Sequence, residues 1–276
     1  VKDGSVTSGN DGFFLDDITF PSANKALGDE NFHREQGQLL IANNLIRNVS
    51  AAGIVVAAAP RDGGTNSPHP GSPINFDTLN TTRLAPGVTI ANNVVTDFVT
   101  NGISFAGEPN TAGNVPAAAV PFGRIVNNTI YGGATATGTG INVSNNASPT
   151  ILNNIIANTA NAMIIDNSSS SSANGALPTQ TGTFVFQGNT SLGTVGGAAY
   201  APTPNDIQLL ATDALFLSTT SFYLASGSSA IDSSINVLPD RAEYVAVTGA
   251  LGIPESPIFA PDRDLYGQLR RDDPAQ

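Results

Sequence analysis

The chain has 276 residues, no cysteine, 22 acidic against 11 basic side chains, and a formal net charge of −11. That leaves too little Lys and Arg to neutralise a phosphate backbone or an anionic bilayer, which excludes nucleic acid and such membrane surfaces as partners. The missing thiol excludes disulfides, zinc fingers and thiol catalysis, and no apolar run reaches the roughly 18 residues of a membrane-inserted helix. Charged residues make up 12% of the chain, about half the share usual in soluble domains. Asn, Thr, Ser, Gly and Ala take their place.

Residues 1–36 open abruptly in "VKDGSVTSGNDG", which reads as a segment of a longer chain. Within them "DGFFLDDITF" (11–20) alternates apolar and acidic residues and predicts a strand that joins an upstream domain or covers the first repeat. Residues 37–199 hold an internal repeat. Its first part is I-x-N-N-x-[IV], with Asn pairs at Asn43 and Asn44, Asn92 and Asn93, Asn127 and Asn128, and Asn153 and Asn154. Its second part is "AGIVV" (52–56), "NGISF" (101–105), "TGINV" (139–143) and "NAMII" (161–165). The copies are spaced unevenly, by 49, 35 and 26 residues between first asparagines. Short strand-like pieces thus keep their form while the connections vary, as in a solenoid whose turns bulge outward.

Apolar alternation on either side of each Asn pair predicts two strands, and the shift of phase across the pair predicts a bend. Asn tolerates the left-handed backbone that a tight corner needs. The Gly-Ile element supplies a third strand. Three short strands per turn, stacked parallel about 4.8 Å apart, predict an all-β fold, a right-handed parallel β-helix. Stacking would place Asn44, Asn93, Asn128 and Asn154 above one another, so that their amides form a ladder and stay satisfied inside an apolar core.

"GTFVFQGNTS" (182–191) reads as a degenerate fifth turn with Asn189 at its corner. Residues 200–276 change character: Pro, Asp and Arg rise and the Asn pairs end. This stretch reads as an irregular C-terminal capping segment, because an open solenoid end recruits other strands.

The I-x-N-N-x-[IV] and Gly-Ile pair resembles the β-helix repeats of large multidomain secreted or cell-surface bacterial proteins, in the pectate-lyase-like superfamily. "FYLASGSSAIDSS" (222–234) followed by "DRDLYGQLRRDD" (262–273) is similar to a closing motif of those proteins. Phe222, Leu224, Gly227, Ser228, Ala230, Ile231, Asp232, Asp264, Gly267 and Arg270 carry the likeness. The resemblance implies the fold and a location outside the cell or on its surface. One fold hosts many functions, so it does not imply a reaction.

A lyase of this fold would use calcium-binding carboxylates and a basic residue on outward strand positions, but Ala42, Ala91, Val126 and Leu152 read as outward here. Only Lys2 and Lys25 are lysines, both before the repeats. A glycosidase would need two paired carboxylates. Asp97 and Asp166 lie at different offsets from their Asn pairs and do not form one. If the chain is an enzyme, the first long connection (57–87) is the place for its site, with Arg61, Asp62, His69, Asp77 and Arg83. The plainer reading is a solvated loop. Asp16 with Asp17, and Asp262 with Asp264, are oxygen-rich pairs. Either could contribute to a calcium site, but calcium takes roughly six to eight oxygens, and Asp264 with Arg270 reads better as a structural ion pair. Tyr131 reads as exposed. No cofactor is required by any motif.

The reading adopted is a non-catalytic structural or adhesive module, contacting polysaccharide or other cell-surface components. Two alternatives stand beside it: a polysaccharide lyase or glycoside hydrolase, and a calcium-assisted surface-layer or fibre subunit.

Overall fold

The computed structural model describes residues 39–57, 86–107, 122–133, 135, 137–145, 147–166, 179–180, 184–239, 242, 245 and 257–270. Among them the fold is all-β with almost no helix, and no helix is long and apolar enough to cross a membrane.

The strands come in threes, here called rungs. The first is β1 (Leu39–Ala42), β2 (Leu45–Val49) and β3 (Ile54–Ala57); the second is β4 (Pro86–Ala91), β5 (Val94–Phe98) and β6 (Asn101–Ala106). The third is β7 (Phe122–Val126), β8 (Thr129–Tyr131) and β9 (Thr139–Ser144); the fourth is β10 (Ser148–Leu152), β11 (Ile155–Ala157) and β12 (Asn161–Ile165). A fifth follows as β13 (Thr179–Gln180), β14 (Val185–Gln187) and β15 (Ser191–Val195), and then come β16 (Ala198–Ala199) and β17 (Ile207–Leu209). Sheet A is ordered β1-β4-β7-β10-β13, sheet B β2-β5-β8-β11-β14-β17, and sheet C β3-β6-β9-β12-β15-β16. Within these three sheets every pairing is parallel except β15 with β16. The chain visits the three sheets in rotation and none closes into a barrel, an arrangement compatible with a β-helix solenoid.

Register explains why uneven connections do no harm. Ile41, Ile90, Ile125 and Ile151 stack in sheet A despite their unequal spacing in sequence. Ile46, Val95, Ile130, Ile156 and Phe186 stack in sheet B, and Ile54, Ile103, Ile141 and Met163 in sheet C. These columns face one another as a single core. Each fully buried Ile contributes about 1.5–3 kcal/mol by leaving water, so the repeated apolar positions dominate the energetics. The Gly of the Gly-Ile element is needed because of that stacking. A Cβ on Gly102 would lie 2.4 Å from Ile130 Cγ2 and 2.8 Å from the Gly140 carbonyl.

The fifth rung breaks the pattern. Phe184, not Asn189, occupies the ladder position above Asn154, as the Ile155–Val185 pairing dictates. Its ring lies nearly parallel to that of Phe186, with centroids 5.7 Å apart. Asn189 sits at the following corner and donates to Thr159 Oγ1 at 2.6 Å.

The C-terminal segment runs along the side of the stack. Gln187 of the fifth rung donates to the Leu210 and Asp213 carbonyls, and Arg47 of the first rung donates to the Thr220 carbonyl at 2.6 Å. Between them Leu215, Phe216 and Leu224 pack on Ile155, Ala157 and Val185 of sheet B. Tyr131 is not an exposed aromatic: its ring contacts those of Phe216 and Phe222. The strand pair β18 (Val237–Leu238) and β19 (Ile258–Phe259) then crosses sheet A. There Ile235, Leu238 and Ile258 bury Val126 and Leu152, which point out of the stack as expected but are covered.

Candidate functional site

The two asparagines of each pair do different work. Asn43, Asn92, Asn127 and Asn153 have φ of 59°, 58°, 55° and 53°, the left-handed conformation that makes the corner. With the bend assigned to the first Asn, the second is free to turn its amide inward. Asn44 Nδ2 donates to Asn93 Oδ1 at 2.9 Å, Asn93 Nδ2 to Asn128 Oδ1 at 3.0 Å, and Asn128 Nδ2 to Asn154 Oδ1 at 3.0 Å. The backbone N–H of each donor residue reaches the same oxygen at 2.9–3.0 Å. The second amide proton of Asn93, Asn128 and Asn154 goes back to the carbonyl of Ile41, Ile90 and Ile125 respectively. Each interior amide thus spans three rungs with its donors and acceptor satisfied.

Beyond Phe184 the column continues in a residue the sequence did not flag. The Phe184 N–H donates to Asp206 Oδ1 at 3.3 Å, as ladder N–H groups do to Asn Oδ1. Asp206 Oδ2 accepts the Tyr200 hydroxyl at 2.6 Å and the Thr203 N–H at 2.7 Å. Burial of Tyr200, reinforced by that bond and by the Asp206 charge, pushes its phenol well above the ordinary value. The only sequence signal is Asn205-Asp206, a near-copy of the Asn pair.

The outer asparagines hold the C-terminal segment. Asn92 Nδ2 donates to the Arg263 carbonyl at 3.0 Å, and Arg270 Nη2 donates to Asn92 Oδ1 at 2.6 Å. Asn153 Nδ2 donates to the Ile235 carbonyl at 2.7 Å and its Oδ1 accepts the Ile235 N–H at 3.0 Å. Between these two clamps, at the third rung, lies a cleft of about 570 Å³ whose wall includes Asn127, Asp232, Ser234, Asp262 and Arg270.

Arg61, Asp62, His69, Asp77 and Arg83, and also Asp16 and Asp17, lie outside the described residues. Asp262 and Asp264 are described. Asp264 Oδ1 accepts the N–H groups of Tyr266 and Gln268 at 2.9 and 2.8 Å, capping a turn. Arg270 bonds Asn92 through Nη2; burial lowers the pKa of its guanidinium, and the nearby Asp264 charge opposes that shift, the electrostatic coupling expected of this pair. Among the described residues no three His, Asp or Glu side chains gather as metal ligands would.

Among the described residues, sheet C is the face that neither the core clusters nor the C-terminal segment covers. Its outward positions in register are Val55, Ser104, Asn142, Ile164 and Thr194. Asp97, which accepts from Thr96 Oγ1, and Asp166, which accepts from the Asn145 N–H, stand two rungs apart at different corners. No carboxylate pair of the kind glycoside hydrolysis uses is formed by them. No known protein family, curated protein or solved structure matches this chain.

Proposed function

We propose that this chain is a right-handed parallel β-helix acting as a non-catalytic structural or adhesive module of a secreted or cell-surface bacterial protein, with glycans or other surface components as its contacts. The handedness follows the strong preference of parallel crossover connections. The observation that carries the functional reading is the state of the lateral surfaces. Two sheets are partly covered by the chain's own C-terminal segment, and the third presents small polar and aliphatic side chains without an acid–base pair among the described residues. Such a surface supports rigid display and weak polar contact; proton abstraction beside a uronate carboxylate needs a base and a neutralising cation in one place.

The test is absorbance at the unsaturated-uronate band over a panel of acidic polysaccharides, with and without calcium. The expected result is no product on any of them. Sustained turnover would overturn the non-catalytic reading and direct attention to the connection carrying Arg61 and His69.

A further inference from the structure

We propose that the cleft at the third rung is a binding site for a neutral saccharide. This rests on the reading of the chain as a glycan-contacting module and gives that contact a place.

The argument starts from a break in the outer column. Asn92 and Asn153 each bond to the C-terminal segment through both amide atoms, donor to a carbonyl and acceptor from an N–H group. Asn127 lies between them and lines the cleft instead. It is 7% exposed, and its Oδ1 is reached only by Asn153 Nδ2 at 3.5 Å. Its Nδ2 has no acceptor among the described residues. That donor opens on the cleft, and the same residue type one rung to either side shows what it can hold there: an oxygen at 2.7–3.0 Å.

The rest of the wall narrows the ligand class. Asp232 and Asp262 present carboxylates that form no side-chain hydrogen bond among the described residues, and Arg270 is the one cation on this wall. Two acids to one base disfavour an anion such as a uronate. A hydroxyl fits every group present, accepting from Asn127 Nδ2 and donating to a carboxylate. Ile155, Leu224 and Ile231 add an apolar patch for the C–H face of a sugar ring. The volume falls within the roughly 300–1,000 Å³ of small-molecule sites. Asp232 also holds φ at 56°, a backbone state that non-glycine residues adopt at a cost and that clusters at binding sites.

The experiment is ligand-observed NMR and calorimetry on the full chain with cellobiose, maltose, lactose, digalacturonate and calcium chloride as probes. Asn127→Gly and Asp262→Ala are the variants; glycine keeps the left-handed corner, and unchanged unfolding midpoints certify both folds. At least one neutral disaccharide is expected to bind, and each variant to weaken it by about tenfold or more. Binding that survives both substitutions would overturn the cleft while leaving the glycan-contacting reading in place. Silence from all three neutral sugars up to about 10 mM, or binding of digalacturonate or calcium alone, would overturn the proposal. Uronate turnover, by contrast, would strike the non-catalytic reading itself.

Discussion

Asn127 and Asn128 are neighbours of the same type, yet one faces out and the other in. The inner column is a closed system: each interior amide bonds to the rung before and the rung after, in a core where no water can substitute. The outer column is open: Asn92 and Asn153 each donate to the corner asparagine of one neighbouring rung, at 2.6 and 3.5 Å, and find their other partners in a segment more than eighty residues distant. An inner amide is held by the repeat alone, whereas Asn92 and Asn153 of the outer column are held in part by the C-terminal segment. The difference predicts that equal substitutions in the two columns have unequal costs.

Asn128→Leu should have the largest effect. It removes the shared acceptor of the Asn93 N–H and Nδ2 and the side-chain donor to the Ile90 carbonyl in a buried setting, leaving Asn154 Oδ1 only the backbone N–H of residue 128, at about 1–3 kcal/mol for each group that cannot relax. The expected loss is about 3 kcal/mol or more in denaturant unfolding, and an unchanged midpoint would remove the ladder from the energetics. Asn153→Gly should cost less, about 1–2 kcal/mol, because glycine retains the corner conformation and only the clamp on Ile235 and a long bond to Asn127 Oδ1 are lost. Its signature is faster hydrogen exchange in residues 210–239 with the rungs unaffected; a uniform rise across the rungs would mean the outer column also holds the stack.

The end of the column provides a pH test. The folded phenol of Tyr200 is raised above its unfolded value near 10.0. Its contribution to stability is therefore complete below about pH 10 and declines as pH rises, when the unfolded chain loses a proton that the folded chain keeps. Tyr200→Phe should flatten the fall in unfolding midpoint above pH 10. An identical alkaline decline in the variant would assign it to other groups. The smallest effect belongs to Asn44, which is exposed at the first rung. Asn44→Ala should shift stability by about 0.5 kcal/mol or less, and a cost equal to that of Asn128→Leu would show that exposure does not set the ladder's worth.

The strands and their apolar columns were legible because the signal is local and repeated: four Asn pairs with Ile at fixed offsets admit one register. The division of labour within a pair was not, since both positions are the same residue type and only backbone geometry separates them. The fifth rung was misread at Asn189 because an aromatic replaced the amide at Phe184, so the pattern pointed to the next corner. Val126, Leu152 and Tyr131 read as outward or exposed; they do point out, but apolar residues some eighty to 130 positions later cover them. The clamp on Asn153 uses only the backbone of Ile235, and that on Asn92 half relies on the Arg263 carbonyl, groups no motif reveals; only Arg270, on Asn92 Oδ1, belonged to a motif. Within the resemblance motif, Phe222, Gly227, Asp232 and Gly267 share positive φ. Their spacing in sequence therefore records turns of the C-terminal segment, and Asp232 reached the cleft through one of them.

The central claim is that the second Asn of each pair beyond the first rung is locked within the stack. Side-chain amide hydrogen exchange, followed by NMR on the intact chain, tests it most directly. The account predicts that the amide protons of Asn93, Asn128 and Asn154 exchange only with global unfolding, while those of Asn43 and Asn44 at the exposed rung exchange far faster. Equal, rapid exchange at Asn128 and Asn43 would contradict it.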